Sequence, residues 1–469
     1  MSSGMGLDIG VRALKAQRRA LDVTGHNIAN ANTEGYSRQR AELTTTNPYT
    51  LPSLKGKTQA GQVGTGVKVK EINRLRNLFL DKRFRQENSY LGEWEQRSTA
   101  LSEVEMILGE PSDLGLRSAM DEFWNSLQEL HNNPESAAVR SAVRQSAASM
   151  NDVFKNLNNQ LEDFKWALDG KIQDKVNNIN SYAQRIADLN EQISQISSNG
   201  DNPNDLMDKR DLLIDKLSTM VNVQVKYDQQ NKAKVSIGGF SLVDGKNVSK
   251  LKAVQDNLKD GLVEVRWEST GNEVKLKTGE LKGLIDSRDE IVTDHISKLN
   301  EMAGNLINEF NNLHKGGFGL DGNTGRDFFT GTDASDIGLS AAIEDEINGL
   351  NKIAAASTAT GTPGDGTNAL DLSKVMKGEI LTGNKTTMID FWGGMVSQLG
   401  INSQRAQHMT KNQEALTQQI DQHRQSVSGV SLDEEMANMI KFQHAYNAAA
   451  KLIKTQDELL NTLVNGILR

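Results

Sequence analysis

The chain has 469 residues, a length that predicts about three domains or one elongated molecule, and its apolar fraction of 37% supports a buried core with few aromatic anchors, since aromatic residues make up only 5%. Its 53 basic and 61 acidic residues give a net charge of −8, which argues against non-specific attraction to nucleic acid or anionic lipid. The chain contains no cysteine, which excludes disulfides, cysteine zinc sites, iron–sulfur clusters and thiol nucleophiles.

The first predicted element is an amphipathic helix near the N-terminus. Apolar residues recur there at alternating spacings of four and three, which is the pattern of one helix face. The apolar positions of this seam are Leu7, Val11, Leu14, Leu21 and Ile28. The region lacks the unbroken apolar core of a secretory signal, and no stretch of the chain reaches the roughly 18 apolar residues that span a bilayer. We therefore expect no membrane partner, and either a cytosolic protein or one exported without a cleaved signal.

An ordered turn is predicted after this helix. Residues 27–38 are dense in side chains that cap helices and form turns. The candidate interface residues in this turn are Asn27, Asn30, Asn32 and Tyr36. Residues 47–66 are rich in Pro and Gly and predict a loop, whereas residues 67–72 alternate like a short strand.

Long helices are predicted over most of the stretch from there to about residue 221. Two apolar runs keep the four-three spacing of bundle helices. They are Leu116, Met120, Phe123, Leu127 and Leu130, and then Ile172, Val176, Ile179, Ala183 and Ile186. Before them, basic residues interleave with Phe79 and Phe84. We interpret that stretch as a solvated helix face whose Phe side chains point into the bundle, and not as a nucleic-acid surface.

A change of period predicts a small β domain between about residues 222 and 283. Apolar and polar residues alternate there at Val223 and Val225, at Val235 and Ile237, from Val263 to Trp267, and at Val274 and Leu276. Helical spacing returns from Leu281 to Leu313. Residues 330–388 are rich in Gly, Thr, Ser and Ala, which predicts an exposed loop or a small flexible insert.

The last predicted element is a long amphipathic helix that begins with a capping box at Ser431 and Glu434. It would be about 55 Å long at 1.5 Å per residue. Its seam positions include Leu432, Met436, Met439, Tyr446, Ile453, Leu460, Val464 and Ile467. Apolar seams at both termini, with small residues on their faces, indicate helices that pair with each other and with neighbouring copies of the chain.

Together these elements predict a mainly α protein with a β insert, of the α+β class. Terminal coiled-coil helices flank a long helical bundle, and a small β domain is inserted at mid-sequence. The predicted domains are a terminal assembly domain of residues 1–45 and 428–469, a bundle of residues 46–221 and 284–427 with the flexible insert at about 330–390, and a β domain of residues 222–283.

No catalytic, cofactor or metal site is predicted. Residues 317–322 match a dinucleotide-binding fingerprint but follow a helix instead of a strand. Residues 321–332 begin like a calcium loop, but Arg326 and Thr332 stand where Gly and Glu are required. The seven histidines show no ligand spacing, and the nucleophile and phosphate-binding motifs are missing. The sequence therefore indicates no enzyme.

Both ends of the chain resemble bacterial flagellar axial proteins, the rod, hook and hook-associated proteins. Residues 21–38, LDVTGHNIANANTEGYSR, resemble their N-terminal signature, except that Glu34 stands where Pro is common. Residues 428–446, SGVSLDEEMANMIKFQHAY, and the following AAAKLI at 448–453 resemble their C-terminal signature. The interior is similar to the family of flagellar hook-associated protein 1 at Gly115-Leu116, FWNSL (123–127), Asn133-Pro134 with Arg140, DKRD (208–211), GELKGLIDSR (279–288) and NNLH (311–314) with Gly316 and Gly322.

The resemblance implies a structural subunit at the junction of hook and filament, in the flagellum outside the cell. Its partners would be copies of itself in a ring or tube, the flagellar hook protein and a second hook–filament junction protein. It would be exported unfolded through the flagellar type III apparatus, with a chaperone bound at the C-terminal helix. The terminal helices would become ordered only on assembly, because isolated amphipathic helices bury too little surface to offset their ordering entropy.

Three other interpretations remain open on the residues alone. A hook or distal-rod axial protein would share both terminal signatures. A secreted adhesive or glycan-binding module could occupy the β insert. An enzyme could occupy the same insert, although its usual motifs are missing.

Overall fold

A computed structural model describes residues 4–48, 64–109, 115–256, 261–375 and 386–467. Most of the loop predicted at 47–66, and the part of the predicted flexible insert at 376–385, lie outside these residues. In the part of the chain that is described, no helix has the length and apolar character needed to cross a bilayer.

In chain order the described elements are α1 (Gly4–Ala29), β1 (Gln39–Thr45), β2 (Val67–Arg74), α2 (Leu78–Leu108), α3 (Leu116–Asn132), α4 (Ala137–Ser197), α5 (Asn204–Met220), β3 (Val223–Tyr227), β4 (Ala233–Ile237), β5 (Phe240–Asp244), β6 (Asn247–Val248), β7 (Leu251–Gln255), β8 (Val263–Trp267), α6 (Glu280–Asp286), α7 (Thr293–Gly316), β9 (Phe329–Thr330), β10 (Gly338–Leu339), α8 (Ala341–Glu344), α9 (Thr367–Val375), α10 (Met388–Ser428) and α11 (Leu432–Ile467). The mainly α architecture with a mid-sequence β insert is therefore confirmed.

The two ends of the chain come together in one module. Helices α1 and α11 pack along each other, and β1 and β2 form an antiparallel hairpin beside α1. Both predicted terminal helices are confirmed, as is the strand predicted at 67–72.

The start of α11 is capped on one side only. Ser431 Oγ accepts a hydrogen bond from the backbone N–H of Glu434 at 3.5 Å, which satisfies one orphan donor of the first turn. The return bond of the predicted capping box is not formed, because the Glu434 carboxylate accepts a bond from Arg38 instead.

The helical bundle is built along α4, which has 61 residues and is therefore about 90 Å long. Both apolar runs predicted in the bundle are buried in its core, which confirms the helices read from their spacing. Helices α2 and α10 run antiparallel, since Gln413 bonds Glu87 while Ser403, ten residues earlier, bonds Glu105 at the far end of α2.

The β insert consists of a four-stranded antiparallel sheet in the order β3-β4-β5-β6 and a separate hairpin of β7 and β8. The strand expected at Val274 and Leu276 is not formed. That segment makes only an isolated bridge to β8, between Glu273 and Arg266, and its Val274 N–H bonds the Val265 carbonyl. Further along, Lys277 N–H bonds Asn222 Oδ1, just before β3.

A buried arginine attaches the insert to the bundle. Arg288 lies in a π-helical turn, Ser287–Val292, between α6 and α7. It donates to the Asp169 carboxylate of α4 and, at 2.8 Å, to the Val263 carbonyl of β8. Asp169 in turn accepts from Val263 N–H at 2.9 Å. The ion pair of Arg288 and Asp169 therefore joins the π-helical turn and α4 to the β7–β8 hairpin.

The segment predicted as an exposed or flexible insert packs against the bundle over its described part, residues 330–375. Ile337, Ile343 and Ile353 are fully buried. His314 holds the segment in place, since its Nδ1 bonds the Arg326 carbonyl at 2.8 Å and its Nε2 accepts from Ala354 N–H at 3.0 Å. The Gly and Thr content reflects tight turns between buried anchors, which composition alone does not distinguish from a loose loop.

Candidate assembly interface

The close packing of α1 on α11 depends on two glycines. A Cβ added at Gly10 would fall 2.7 Å from Cγ1 of Ile453, and one at Gly6 would fall 2.8 Å from the side chain of Gln456. Because Asn27, at the other end of α1, bonds Glu435, the two helices run antiparallel. Helix α11 continues for about three turns beyond the level of Gly6.

The face of α1 that is most buried consists of small and polar residues. These are Gly10, Ala16, Ala20, Val23, Thr24 and Asn27. The predicted seam residues Leu7, Val11, Leu14, Leu21 and Ile28 are only half-buried, one position out of phase with this face. The small residues let the backbones approach, so the larger side chains lie at the flanks of the contact.

The predicted residues of α11 divide into two groups. Met439, Tyr446, Ile453 and Leu460 are half-buried and share one heptad line, on which Ile453 meets α1. Leu432, Met436 and Val464 are exposed, and Val464 shows 55% of its surface to solvent. Ile467 closes the helix, and its side chain lies outside the described part of the structure.

Asn27 is the centre of a buried polar cluster. Its Nδ2 donates to the Gln39 carbonyl and to Glu435 Oε2, both at 2.9 Å. Its Oδ1 accepts from Tyr36 Oη at 2.7 Å and from Gln39 N–H at 2.9 Å. The amide thus makes all four bonds available to it and joins α1, the turn, β1 and α11.

The remaining turn residues have different roles. Asn30 donates to the His26 carbonyl at 3.0 Å and closes the end of α1, whereas Asn32 is exposed. Burial and the nearby Asp205 and Asp208 carboxylates raise the pKa of Tyr36 well above its ordinary value, so its hydroxyl stays a donor.

Arg38 was not among the predicted site residues, yet it links the turn to α11. It forms ion pairs with Glu434 at 2.6 Å and with Glu435 at 2.7 Å, and Glu435 is nearly fully buried. Three acidic residues, Asp433, Glu434 and Glu435, stand at the start of α11, of which only Glu434 was considered above, as part of the capping box. Their position opposite a basic residue of the N-terminal signature was the available signal.

A second charged cluster fastens this module to the bundle. Asp208, Asp211 and Asp215 lie on one face of α5, at spacings of three and four. Their arginine partners are Arg74 at the end of β2, Arg76 just after it, Arg85 of α2, Arg210 of α5 and Arg424 of α10. Asp208 also accepts from Ser37 N–H at 2.9 Å, which connects this cluster to the turn.

The buried carboxylates differ in their acidity. Burial would raise the pKa of Asp211, but Arg210, Arg74 and Arg76 lower it well below its usual range. Burial of Asp208 instead raises its pKa, because Arg74 and Ser37 only partly offset the loss of solvent.

The stretch of basic and aromatic residues at the start of α2 differs from our expectation. Arg85 is buried and Arg76 largely so, each in ion pairs, and Phe84 stacks under Arg424, whose Cζ lies 4.1 Å from the ring centroid. Phe79 does not point into the bundle, since 64% of its surface is exposed. The described residues hold no group of three or more His, Asp or Glu that could bind a metal.

Known proteins resemble this chain along its whole length. Residues 101–329 match the family described as the helical domain of flagellar hook-associated protein FlgK. Residues 7–36 match the flagella basal body rod protein family, and residues 421–466 match the C-terminal family of the basal body rod FlgEFG proteins.

Individual relatives extend these matches. Flagellar hook-associated protein 1 of Bacillus subtilis (strain 168) is 37% identical, covering 99% of each chain. The same protein of Salmonella typhimurium is 27% identical over 96% of this chain and 98% of its own. The solved structure of the flagellar hook junction protein FlgK of Burkholderia pseudomallei has the same fold, with a TM-score of 0.67 and 17% sequence identity. The similarity covers 74% of this chain and 100% of the Burkholderia chain.

Proposed function

The chain belongs to the family of flagellar hook-associated protein 1, structural proteins of the bacterial flagellum at the junction of hook and filament, and we propose that it assembles there through its paired terminal helices. The assembly module is residues 1–45 and 428–469, to which β2 is added by its pairing with β1, and it forms a ring or tube with neighbouring copies and lines a central channel. The bundle and the β insert of residues 222–283 face outward, with a structural rather than an enzymatic role.

The observation that carries this proposal is that the apolar band of α11 is wider than α1 covers. Gly10 and Gly6 of α1 contact Ile453 and Gln456 of α11, whereas apolar side chains continue on both flanks of the Ile453 line. Leu452 and Leu459 are exposed on one flank of this line, and Met436, Ile440 and Val464 are exposed on the other. Such a helix requires more than one partner helix to bury its apolar surface.

We extend the proposal to neighbours and export. The hook protein contacts the ring on one side and a second hook–filament junction protein on the other. The subunit travels to the growing end unfolded, through the flagellar type III apparatus, with an export chaperone on α11, and folds outside the cell. The absence of cysteine supports this route, because no disulfide has to form or be reduced on the way.

The terminal module is only partly ordered before assembly under this proposal. The polar cluster around Asn27 supports a folded half close to the bundle. The distal half, from Gly4 to Ala16 against residues 449–467, buries mostly small side chains and is completed by neighbouring copies. Hydrogen exchange on the dilute subunit should show protected amides near residue 27 and weak protection in both distal segments. Full protection there would contradict this division.

The test of function combines localisation with one substitution. Labelled chain should mark the boundary between hook and filament, and cells without the protein should shed their filaments. Val464→Asp should leave the circular dichroism and melting of the subunit unchanged, because Val464 is exposed in the subunit. It should abolish filament attachment, because the proposed contact with neighbouring copies buries this side chain. Thr455→Asp, which adds the same charge on the exposed polar face of α11, is the matched control and should swim normally. Normal swimming with Val464→Asp would refute assembly through this flank.

A further inference from the structure

One face of α2 is open to solvent although it carries two aromatic residues. Its members are Phe79, Lys82, Arg83, Gln86 and Tyr90, which follow helical spacing and are all exposed. Neither Lys82 nor Arg83 has an acidic partner among the described residues, unlike the neighbouring Arg76 and Arg85. We call this set the basic-aromatic face.

Helix α11 carries a complementary face in its first turns. Leu432, Asp433, Met436 and Ile440 follow the same spacing and are exposed. Asp433 differs from Glu434 and Glu435, which Arg38 already neutralises. We call this set the acidic-aliphatic face.

Both faces lie where the terminal module meets the bundle. The backbone N–H of Arg38 bonds the Ser428 carbonyl, and the N–H of Leu75 bonds the Arg38 carbonyl, each at 2.8 Å. The beginnings of α2 and α11 therefore lie at one level. The two faces do not cover each other within the chain, because Phe79 and Met436 are both largely exposed.

We propose that the basic-aromatic face of one copy packs on the acidic-aliphatic face of the next copy in the ring. Lys82 and Arg83 then neutralise Asp433, while Phe79 and Tyr90 pack on Leu432, Met436 and Ile440. Copies related by rotation about one axis bring features of equal height together, so the common level of the two faces fits lateral contact between copies. This inference rests on the proposed ring assembly and names the surfaces that contact.

The contact is conditional on assembly. Two faces of four and five side chains bury much less than the roughly 1,000 Å² that a specific interface usually needs. The dilute subunit therefore stays monomeric, and the contact forms only when the terminal helices hold adjacent copies together and raise their effective concentration.

Cysteine cross-linking tests this contact, because the chain has no cysteine of its own. Cells that carry Lys82→Cys with Asp433→Cys are oxidised, and their isolated hook–filament junctions are run on non-reducing gels. We expect a ladder of multimers of this chain. Lys82→Cys with Thr455→Cys is the matched control, since Thr455 lies on another exposed face of α11, and it should give no ladder.

Charge reversal supplies a second measurement. Lys82→Glu with Arg83→Glu should raise the amount of this protein shed into the medium about fivefold, the change expected for loss of about 1 kcal/mol. Adding Asp433→Lys should restore retention, which loss of folding could not explain.

The outcomes separate this inference from the proposed function. Absence of the unmodified chain from the junction would overturn the function itself. Correct localisation without a ladder, or cross-links only to a different flagellar protein, would overturn the contact between copies and leave the function intact.

Discussion

Asn27→Ala should loosen the contacts among α1, β1 and α11 inside the terminal module without unfolding the bundle. Asn27 is 1% exposed and makes four hydrogen bonds, two as donor and two as acceptor. Each typical bond contributes about 0.5–1.5 kcal/mol net, and a partner left buried without a bond costs more. Because half-buried Tyr36 can bond water after the substitution, we expect a loss of about 3 kcal/mol in the free energy of local opening.

Native-state hydrogen exchange measures this loss directly. A loss of about 3 kcal/mol should speed exchange of amides at the end of α1 and in β1 by roughly two orders of magnitude. Amides of α3 and α4 should be unchanged, since their core does not include this cluster. Asn32→Ala is the matched control, because Asn32 is exposed and lies in the same turn.

An isosteric change sharpens the test. Asn27→Asp replaces the Nδ2 donor by an oxygen 2.9 Å from Glu435 Oε2. Repulsion and burial would raise the pKa of the new carboxyl in the folded state, so its destabilisation is small below about pH 4 and grows as the pH rises above that value. Equal exchange rates in Asn27→Ala, Asn32→Ala and the unmodified chain would refute the central role of this amide.

Two further changes probe other parts of the molecule. Gly10→Ala should weaken the packing of α1 on α11 by about 1–3 kcal/mol, since its Cβ would fall 2.7 Å from Ile453 Cγ1. Adding Ile453→Ala should recover part of this loss in a double-mutant cycle monitored by hydrogen exchange. Strict additivity of the two substitutions would contradict this explanation. Burial lowers the pKa of His314 to about 4, so the unfolded chain binds the proton more readily than the folded chain between about pH 6.5 and 4. The free energy of unfolding is therefore unaffected by this group above about pH 6.5. As the pH falls from about 6.5 to 4, up to roughly 3 kcal/mol of it is lost. Denaturant unfolding of His314→Gln across that range should show a shallower dependence on pH than the unmodified chain, and an unchanged slope would exclude His314 as its source.

The elements most readily predicted from sequence were those with sustained periodicity. The apolar runs of α3 and α4 are buried as their spacing predicted, because a helix of such length must turn that stripe toward a core. The β insert was recognised by its change of period. The resemblance to flagellar axial proteins came from the two terminal signatures, which meet in the structure at Asn27 and Glu435.

The errors of prediction arose where tertiary packing outweighs local pattern. The predicted seam of α1 is one residue out of phase with its most buried face. Leu and Val dominate a periodicity count, whereas the most buried positions include Gly10, Ala16 and Ala20, and the closest approach to α11 is at Gly10. Phe79 was assigned to the core by its hydrophobicity, although Lys82 and Arg83, three and four residues later on the same helix face, are charged. The ion pairs of Arg38 join positions almost 400 residues apart, which no local pattern reveals.

The bond between Asn27 and Glu435 closes a loop of 408 residues, and this separation has a consequence for the order of folding. Closing so long a loop from a random chain is entropically expensive and slow. A bundle that forms first would bring Arg38 and Ser428 together, because Ser428 ends α10, Ser37 bonds Asp208 of α5, and Arg38 and Ser428 share a backbone hydrogen bond of 2.8 Å. Only the short segments from Asn27 to Arg38 and from Ser428 to Glu435 then remain to be ordered. Because the entropy of loop closure depends on the logarithm of loop length, the free energy cost of forming the Asn27–Glu435 contact falls by ~3 kcal/mol. The bundle thus acts as a template on which the two ends of the chain find each other last.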